Sequence, residues 1–239
     1  MNLDRRELLT LAAGVVGGAL TMPLSPSAAA RDGAGRRVVV VGAGIIGASI
    51  AWHLAVRGAA VTVLDAAGPA SGATGNSFAW LNAFSKAPQP YYELNLLGMM
   101  GWHRLQHEIG PRLPIQWGGS VNWRDDPGAV DRLRSTVARQ SAWGYPARMI
   151  DEDALRDLLP GVRPGDVAVA AFGEPEGTVN PAVVTGVLLD EARRHGASVE
   201  HPVAVQGFRR DGDRVVAGRT DQGATDADQV VIAAGLGST

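Results

Sequence analysis

The feature that most constrains the fold is a glycine-rich turn between a buried strand and a helix. Residues 37–65 read RVVVVGAGIIGASIAWHLAVRGAAVTVLD. The β-branched run 38–41 is typical of a buried parallel strand. Glycines follow at once in G-x-G-x-x-G spacing, and residues 45–57 have helical character. Gly58 ends that helix, and residues 60–64 predict a second strand.

Each part of this turn has a physical role in holding a dinucleotide. Gly42 permits the tight turn, Gly44 lets the backbone approach a pyrophosphate, and Gly47 lets helix and strand pack closely. The helix N-terminus offers free N–H groups to phosphates. Asp65, 18 residues after Gly47, is placed to accept hydrogen bonds from a ribose. Strand, helix and acid together favour a dinucleotide site over a ligand-free glycine turn.

Composition excludes several kinds of chemistry. The 239 residues include no cysteine, so disulfides, thiolate metal sites and cysteine nucleophiles are ruled out. The formal net charge of −2 gives no reason to propose nucleic acid as a partner. The length predicts one or two domains.

The first thirty residues have the pattern of an export signal. The pair Arg5-Arg6 precedes an uncharged, mostly apolar run of 13 residues, 8–20, and a small-residue tail holds an Ala28-x-Ala30 site. This pattern predicts a twin-arginine signal over 1–30 and a periplasmic or secreted protein. The apolar run is short for a transmembrane helix, so we expect no stable membrane insertion after cleavage. An uncleaved anchor or a chance amphipathic start is the alternative.

The segment after the second strand is rich in small residues and hydroxyls. It runs from 68 to 82 as GPASGATGNSFAWLN, and such a loop can bring backbone N–H groups and hydroxyls to an anion. Ser71, Thr74 and Ser77 are candidates for phosphate or ribitol contacts, and Phe78 and Trp80 could flank a flat ring. The alternative is a flexible surface loop.

Residues 83–177 interrupt the nucleotide-binding pattern and predict an inserted second domain. Helices are expected over 90–109, 127–143 and 151–160, with a strand over 118–124. His103 and His107 are four apart on the first helix, but an acid and a third ligand are missing, so a solvated face is favoured over a metal site.

The last section returns to the first pattern. Asn180 is expected to cap a helix that begins at Pro181 and runs to about 195. Residues 198–208 are predicted to be extended. Turn signals at 211–212 and 222–223 join short strands, and a buried strand runs from 228 into a small-residue turn at 235.

In this order the segments resemble the FAD-dependent D-amino-acid oxidase family, which includes glycine oxidases, sarcosine oxidases and amino-acid dehydrogenases. The resemblance covers about 37–238 and rests on VVGAGIIG, LD, SGATG, EGTVNP and ADQVVIAAG. It implies an α/β fold: a Rossmann-like FAD-binding domain of the GR2 type with an inserted, incomplete α+β substrate domain. The predicted domain order is 36–82 and 178–239 for FAD binding, and 83–177 for the substrate or cap domain.

The resemblance also implies roles for individual residues. Asp65 takes the adenosine ribose, although many relatives have glutamate there, and Val205 lies where the family sets a valine backbone against adenine. The FAD-binding residues predicted in this way are Gly42, Ala43, Gly44, Ile45, Ile46, Gly47, Asp65, Ser71, Gly72, Ala73, Thr74, Ser77, Val205, Ala233, Ala234 and Gly235. Trp80 and Asn82 are candidates for groups near the flavin ring, and no acid, base or metal ligand is predicted.

The resemblance implies an oxidoreductase that oxidises the C–N bond of a small amine or amino acid. The glycine pattern alone also suits a nicotinamide-dependent dehydrogenase. Family members continue beyond the position of Thr239, so we also expect that a C-terminal half is missing. In the family, that half usually supplies the arginine or tyrosine that binds the substrate carboxylate. A truncated, inactive nucleotide-binding fragment is therefore a third hypothesis.

Overall fold

The structure is a computed structural model that describes residues 35–238. The predicted export signal lies outside these residues. At the centre is a parallel sheet in the order β13-β1-β2-β9. Its strands are β1 (Arg37–Val41), β2 (Ala60–Leu64), β9 (Ser198–Glu200) and β13 (Gln229–Ile232). Val38, Val39 and Val40 of β1 are buried because both faces of the sheet are covered.

Two helices cover one face of the parallel sheet. Helix α1 (Ile45–Val56) follows β1, and α5 (Pro181–Arg194) returns from the inserted section. Alanines on α1 allow close packing, and they share one core with the strands and with α5. The buried residues of this contact include Ala48, Ala51, Ala55, Val184, Leu188 and Leu189.

An antiparallel sheet covers the other face. It has the order β10-β11-β12, with β10 (Val205–Asp211), β11 (Arg214–Thr220) and β12 (Gly223–Asp226). Val39 and Leu64 of the parallel sheet pack there with Val203 and Ala227. Both turn signals, at 211–212 and 222–223, lie at hairpins as predicted.

The single extended segment predicted over 198–208 is divided in the structure. Its start, β9, pairs in parallel with β2, whereas β10 begins at Val205 and pairs with β11. Pro202 lies between them, and Val203 donates its N–H to the Asp65 carbonyl instead of to a continuous ladder. The chain thus changes sheets where proline cannot donate.

The inserted section has its own antiparallel sheets and core. Helix α2 (Gln89–Ile109) is followed by a 3₁₀ turn (Gly110–Arg112), and α3 (Pro127–Ala142) and α4 (Glu152–Leu158) come later. The sheets are β3-β8-β4 and β5-β7-β6. Their strands are β3 (Trp80–Leu81), β4 (Ile115–Trp117), β5 (Ser120–Arg124), β6 (Ala147–Ile150), β7 (Val169–Gly173) and β8 (Gly177–Val179).

The α/β fold with an α+β insert is therefore as expected. The sheet β3-β8-β4 joins strands from both sides of the predicted boundary at 82, and the domain limits stay a prediction. Helix ends agree closely with their sequence signals, because Asp126, Asp151 and Asn180 each cap a helix by accepting backbone N–H bonds. The short strands β3, β4, β6, β7 and β8 were not predicted. Within 35–238, no helix has the length and apolarity needed to cross a membrane.

Candidate cofactor cleft and the adjoining chamber

The glycine turn brings three elements closer together than any side chain would allow. Gly42 has a φ of 107°, and a Cβ there would lie 2.4 Å from the Ala233 carbonyl oxygen. A Cβ on Gly47 would lie 1.9 Å from the Gly42 carbonyl oxygen. The end of β1, the start of α1 and the exit of β13 therefore meet around a backbone surface that only glycine permits.

The N-terminus of α1 opens at this turn. Gly44 is the cap residue and has no side chain to satisfy the first amides. The Ile45 N–H donates to Thr74 Oγ1 at 3.1 Å. Thr74, predicted as a phosphate contact, thus also accepts the hydrogen bond of one amide at the start of the helix. Its own hydroxyl proton stays available to a ligand. The remaining first-turn amides carry the positive end of the helix dipole.

Asp65 organises the same turn from the end of β2. Its Oδ2 accepts from the Ala43 N–H at 2.8 Å, and its Oδ1 accepts from the N–H groups of Ala67 and Gly68 at 2.9 and 2.6 Å. Burial would raise the pKa of Asp65, but these backbone hydrogen bonds outweigh it and hold the pKa below its ordinary value. An ionised oxygen accepts about two bonds, so Oδ2 retains capacity for a ribose hydroxyl.

The hydroxyl-rich loop folds back over the helix N-terminus. Ala70 donates its N–H to the Ala43 carbonyl at 3.1 Å and has a φ of 57°. A Cβ on Gly75 would lie 2.4 Å from the Ala70 carbonyl oxygen. Ser77 Oγ accepts from the Ala79 N–H at 3.0 Å. Hydrogen bonds and close backbone contacts thus hold this loop against the N-terminus of α1, and it is not a loosely attached surface loop.

Together these segments enclose a cleft of about 570 Å³. Of residues 35–238, Asp65 is the only charged one in the lining, so the phosphates of a ligand would be held by amides, hydroxyls and the helix dipole. The lining residues are Gly42, Gly44, Ile45, Ile46, Asp65, Ser71, Gly72, Ala73, Thr74, Ser77, Ala233, Ala234, Gly235, Leu236 and Gly237. The donor set and the Cβ-free surface fit the pyrophosphate and ribose of a dinucleotide such as FAD.

Most predicted cofactor residues therefore surround one cleft, and three do not line it. Ala43 and Gly47 are buried beneath the turn and act by packing. Val205 packs against the cluster that contains Val39, and its adenine contact stays a prediction. Leu236 and Gly237 were missed, although they continue the small-residue turn after β13 and Leu236 is exposed.

A second cavity, called here the chamber, lies beyond Ser77 along the chain and measures about 390 Å³. Within the part of the chain that the structure describes, Lys86 is the only charged residue in the lining, and Asn82 Oδ1 is buried with no hydrogen-bond partner. The lining is Trp80, Leu81, Asn82, Lys86, Tyr91, Leu94, Asn95, Gly98, Met99 and Trp102. Trp80 and Asn82, predicted near the flavin ring, thus line the chamber and not the cleft.

The wall of the chamber is fixed by a buried acid that the sequence analysis missed. Glu176 is fully buried. Its Oε2 accepts from Trp80 Nε1 at 2.9 Å, and its Oε1 accepts from the Ala83 and Phe84 N–H groups at 3.1 and 2.7 Å and from Tyr145 Oη at 2.8 Å. The motif EGTVNP includes this residue, but nothing local indicates partners more than ninety positions away.

Two further buried side chains complete this arrangement. Gln140 donates from Nε2 to the Ala83 carbonyl at 2.8 Å and accepts the Ser85 N–H at 2.9 Å. Burial, and then the charge of Glu176, raises the pKa of Tyr145, so this phenol stays a hydrogen-bond donor at neutral pH. The polar atoms that Glu176, Gln140 and Tyr145 direct toward the segment 80–85 therefore all have hydrogen-bond partners.

One of the two histidines on α2 packs against an aromatic ring. His103 stacks on Trp117 with ring centroids 3.8 Å apart. Among residues 35–238, no group of three or more His, Cys, Asp or Glu side chains is arranged to hold a metal ion.

Comparison with known proteins agrees with this geometry. The family model DAO, described as FAD dependent oxidoreductase, matches residues 37–239. The chain is 32% identical over 200 residues to 4-methylaminobutanoate oxidase (formaldehyde-forming) from Paenarthrobacter nicotinovorans, covering 84% of this chain and 24% of that protein. It is 29% identical over 204 residues to monomeric sarcosine oxidase from Streptomyces avermitilis, covering 83% of this chain and 51% of that protein.

Solved structures share the fold. L-amino acid deaminase from Proteus myxofaciens superposes with a TM-score of 0.75 at 27% identity, covering 86% of this chain and 46% of that chain. Glycine oxidase from Bacillus cereus has a TM-score of 0.76 at 22% identity, a likeness of fold alone, covering 83% and 55% of the two chains. The chain thus spans about a quarter to a half of the length of the proteins it matches.

Proposed function

Because this chain belongs to the DAO family of FAD-dependent oxidoreductases, we propose that it binds FAD in the cleft and takes part in oxidising the C–N bond of a small amine or amino acid. The observation that carries the proposal is the contact surface at Gly42 and Gly47, where any Cβ would collide with backbone. Such a surface lets amides approach a pyrophosphate directly.

Each part of the cleft has a role in holding the cofactor. The amides at the start of α1 and the hydroxyls of Ser71 and Thr74 would bind the pyrophosphate. Asp65 would accept a ribose hydroxyl through Oδ2. When bound, FAD supplies the oxidising group that takes a hydride from the carbon next to the substrate nitrogen, and the resulting imine is hydrolysed. The protein's contribution is to bind, to orient and to exclude water.

FAD binding can be tested directly on the purified chain. Titration should give saturable uptake, followed by the quenching of flavin fluorescence, and a yellow protein after gel filtration. NAD, the nicotinamide alternative, should not compete at equal concentration. A matched pair of helical glycines serves as control: Gly47→Ala should abolish uptake, and Gly186→Ala, where a Cβ meets nothing within 4 Å, should not. The proposal is refuted if both the parent chain and Gly186→Ala fail to take up FAD.

The substrate class is proposed from the substrates of the relatives and from the chemistry of the chamber. Two of the relatives are oxidases of 4-methylaminobutanoate and of sarcosine, and each of these compounds is a small carboxylate with a substituted nitrogen. Among the described residues, Lys86 alone brings a charge to the chamber lining, which suits a ligand with an anionic group.

We further propose that turnover needs a polypeptide corresponding to the rest of the relatives' length. Helix α2 exposes Leu94 and Leu97 by 65% and 64%, an apolar face of the kind that packs against a further segment. The chain alone should therefore bind FAD, but sarcosine should not reduce the bound flavin under anaerobic conditions. Bleaching of the flavin by sarcosine in the chain alone would show that no such segment is needed.

Export through a twin-arginine signal over residues 1–30 is also proposed, from the Arg5-Arg6 pair and the Ala28-x-Ala30 site. That route carries folded proteins, which suits a cofactor inserted before export. The double substitution Arg5→Lys with Arg6→Lys should block appearance of the protein outside the inner membrane. Unchanged export of the double variant would contradict the proposal.

A further inference from the structure

Two positive backbone angles mark the limits of the segment that Glu176 holds. Ala79 and Ser85 have φ values of 51° and 60°, in the left-handed region that costs residues other than glycine about 1 kcal/mol or more. Between them, Trp80, Ala83 and Phe84 donate hydrogen bonds to the Glu176 carboxylate. Unfavourable backbone angles persist only where surrounding contacts over-determine them, and the buried carboxylate supplies such contacts.

All four partners of Glu176 are hydrogen-bond donors, which is the partner set of an ionised carboxylate. Because the side chain is fully buried, replacing either oxygen by a donor group, as in a neutral amide, leaves the donors at that oxygen unpaired in a low-dielectric interior. The Trp80 indole is tied through its only donor, Nε1, so this one bond sets the direction of the ring. The same carboxylate holds the two backbone amides that follow Asn82.

Two residues of this segment line the chamber as well as being held, directly or through the next amides, by Glu176. Trp80 and Asn82 are both in the lining, and Asn82 Nδ2 already donates to the Trp80 carbonyl at 3.1 Å. The other polar atom of this side chain, Asn82 Oδ1, is buried and has no hydrogen-bond partner among residues 35–238. An unpaired buried acceptor in a cavity calls for a donor, and Lys86 adds a cation to the same lining.

We propose that Glu176 is a positioning residue: it fixes Trp80 and Asn82 as the recognition wall of the chamber, which takes a small zwitterionic amino acid. The ligand ammonium donates to Asn82 Oδ1, its carboxylate lies toward Lys86, and the Trp80 ring covers its carbon atoms. This inference rests on the proposed function and adds to it the residues that would contact the substrate and the residue that holds them in place.

The test uses the full chain labelled with fluorotryptophan, in which the Trp80 fluorine resonance is assigned by Trp80→Phe among the six tryptophans. The probes are sarcosine, dimethylamine and acetate. In the parent chain, sarcosine should shift the Trp80 resonance saturably, and dimethylamine and acetate should do so only at about tenfold higher concentration, since each lacks one charged partner.

Glu176→Gln should displace or broaden the Trp80 resonance without ligand and weaken the sarcosine response about tenfold. It should also speed amide exchange of Ala83 and Phe84 by about tenfold while exchange in β1 is unchanged. Glu176→Asp, which keeps the charge, should recover part of both losses. The matched control is Glu174→Gln, the same change at an exposed position two residues earlier, which should resemble the parent chain.

The proposal is overturned if sarcosine leaves the Trp80 resonance of the parent chain unmoved, or if Glu176→Gln and Glu174→Gln respond equally. If Glu176→Gln does not fold, Tyr145→Phe removes one donor and leaves the acid, and it should weaken the sarcosine response by a smaller factor. An equal response of Tyr145→Phe and the parent chain then overturns the proposal. These measurements need no FAD, so a failure of FAD binding is distinguishable from a failure of this inference.

Discussion

The cleft and the chamber are built by different means, although only two residues, 78 and 79, separate their linings along the chain. The cleft is walled by backbone, glycine and short side chains, with one charged residue, Asp65, in its lining. The chamber is walled by large side chains such as Trp80 and Tyr91, and its wall is held from behind by Glu176 and Gln140. A backbone cradle binds a constant group such as pyrophosphate, whereas a side-chain wall can differ between relatives that share the fold.

The difference teaches which interactions are local. In the cleft, the bond that orients the turn joins Asp65 and Ala43, 22 residues apart, within one strand–helix–strand unit. In the chamber, Glu176 holds Phe84 across 92 residues. Substitutions in the two regions should therefore fail in different ways.

The largest effect is expected from Gly47→Ala. A Cβ 1.9 Å from a backbone oxygen forces α1 away from β1, and we expect a loss of about 3 kcal/mol of unfolding free energy, together with loss of FAD uptake. Denaturant unfolding of Gly47→Ala and of the control Gly186→Ala measures this. The control should gain up to about 1 kcal/mol, because alanine replaces glycine inside a helix. Equal stabilities would show that the cradle is not tight.

Gln140→Leu should have the next effect and should separate the two regions. It removes the acceptor of the Ser85 N–H and one of the two hydrogen bonds of the buried Ala83 carbonyl, which keeps its bond from the Lys86 N–H. The cost should be about 1.5 kcal/mol. FAD affinity should stay within about threefold of the parent value, less than 1 kcal/mol, because the cleft lining does not include these atoms. Gln89→Leu at an exposed position is the control and should change stability by less than about 0.5 kcal/mol. A large loss of FAD affinity in Gln140→Leu would mean that the regions are coupled.

Asp65→Asn should act on stability and FAD binding together, because it weakens the turn and the ribose contact. We expect a loss of about 1 kcal/mol, discounted because the side chain is partly exposed. The pKa of Asp65 is lowered in the folded protein. Its contribution is therefore present above the unfolded-state pKa of about 4 and is lost as pH falls through the folded value.

Unfolding at pH 7 and at pH 3 checks this sign. The gap in unfolding free energy between the parent chain and Asp65→Asn should be wide at pH 7 and narrower at pH 3. A gap that widens on acidification would contradict the hydrogen-bond arrangement at Asp65.

The sequence predicted the cleft because its signals are local. Gly42, Gly47 and Asp65 stand at spacings fixed by one strand–helix–strand unit, and the caps Asp126, Asp151 and Asn180 act on the next turn of chain. Even there, the backbone role of Asp65 and the capping role of Thr74 were not predicted, because a carboxylate or hydroxyl near a ligand site has several donors within reach.

The chamber could not be predicted because its order comes from distant contacts. The strands β6, β7 and β8 are short and carry no strong alternation, and they form through pairing across the inserted section. Glu176 lies in a turn-rich segment next to Glu174, which is exposed. Only the fold shows that one of these two acids is buried against Trp80 and Tyr145 while the other faces solvent.

The smallest effect is expected from Asp228→Asn, at the exposed edge of the parallel sheet. Asp228 accepts from the Arg37 backbone N–H at 2.9 Å and pairs with its guanidinium at 2.8 Å. The Arg37 side chain holds the pKa of Asp228 down to about 2, so the pair contributes above an unfolded-state pKa of about 4 and is lost as pH falls toward 2. Because both groups are solvated, the shift in thermal midpoint should be smaller than for Asp65→Asn and should vanish at high salt. Thermal melts at low and high ionic strength measure it. A salt-independent shift in thermal midpoint as large as that of Asp65→Asn would show that this surface pair stabilises the fold as strongly as the hydrogen bonds of Asp65 in the cleft. The expected contrast between the backbone-lined cleft and the solvated surface would then not hold.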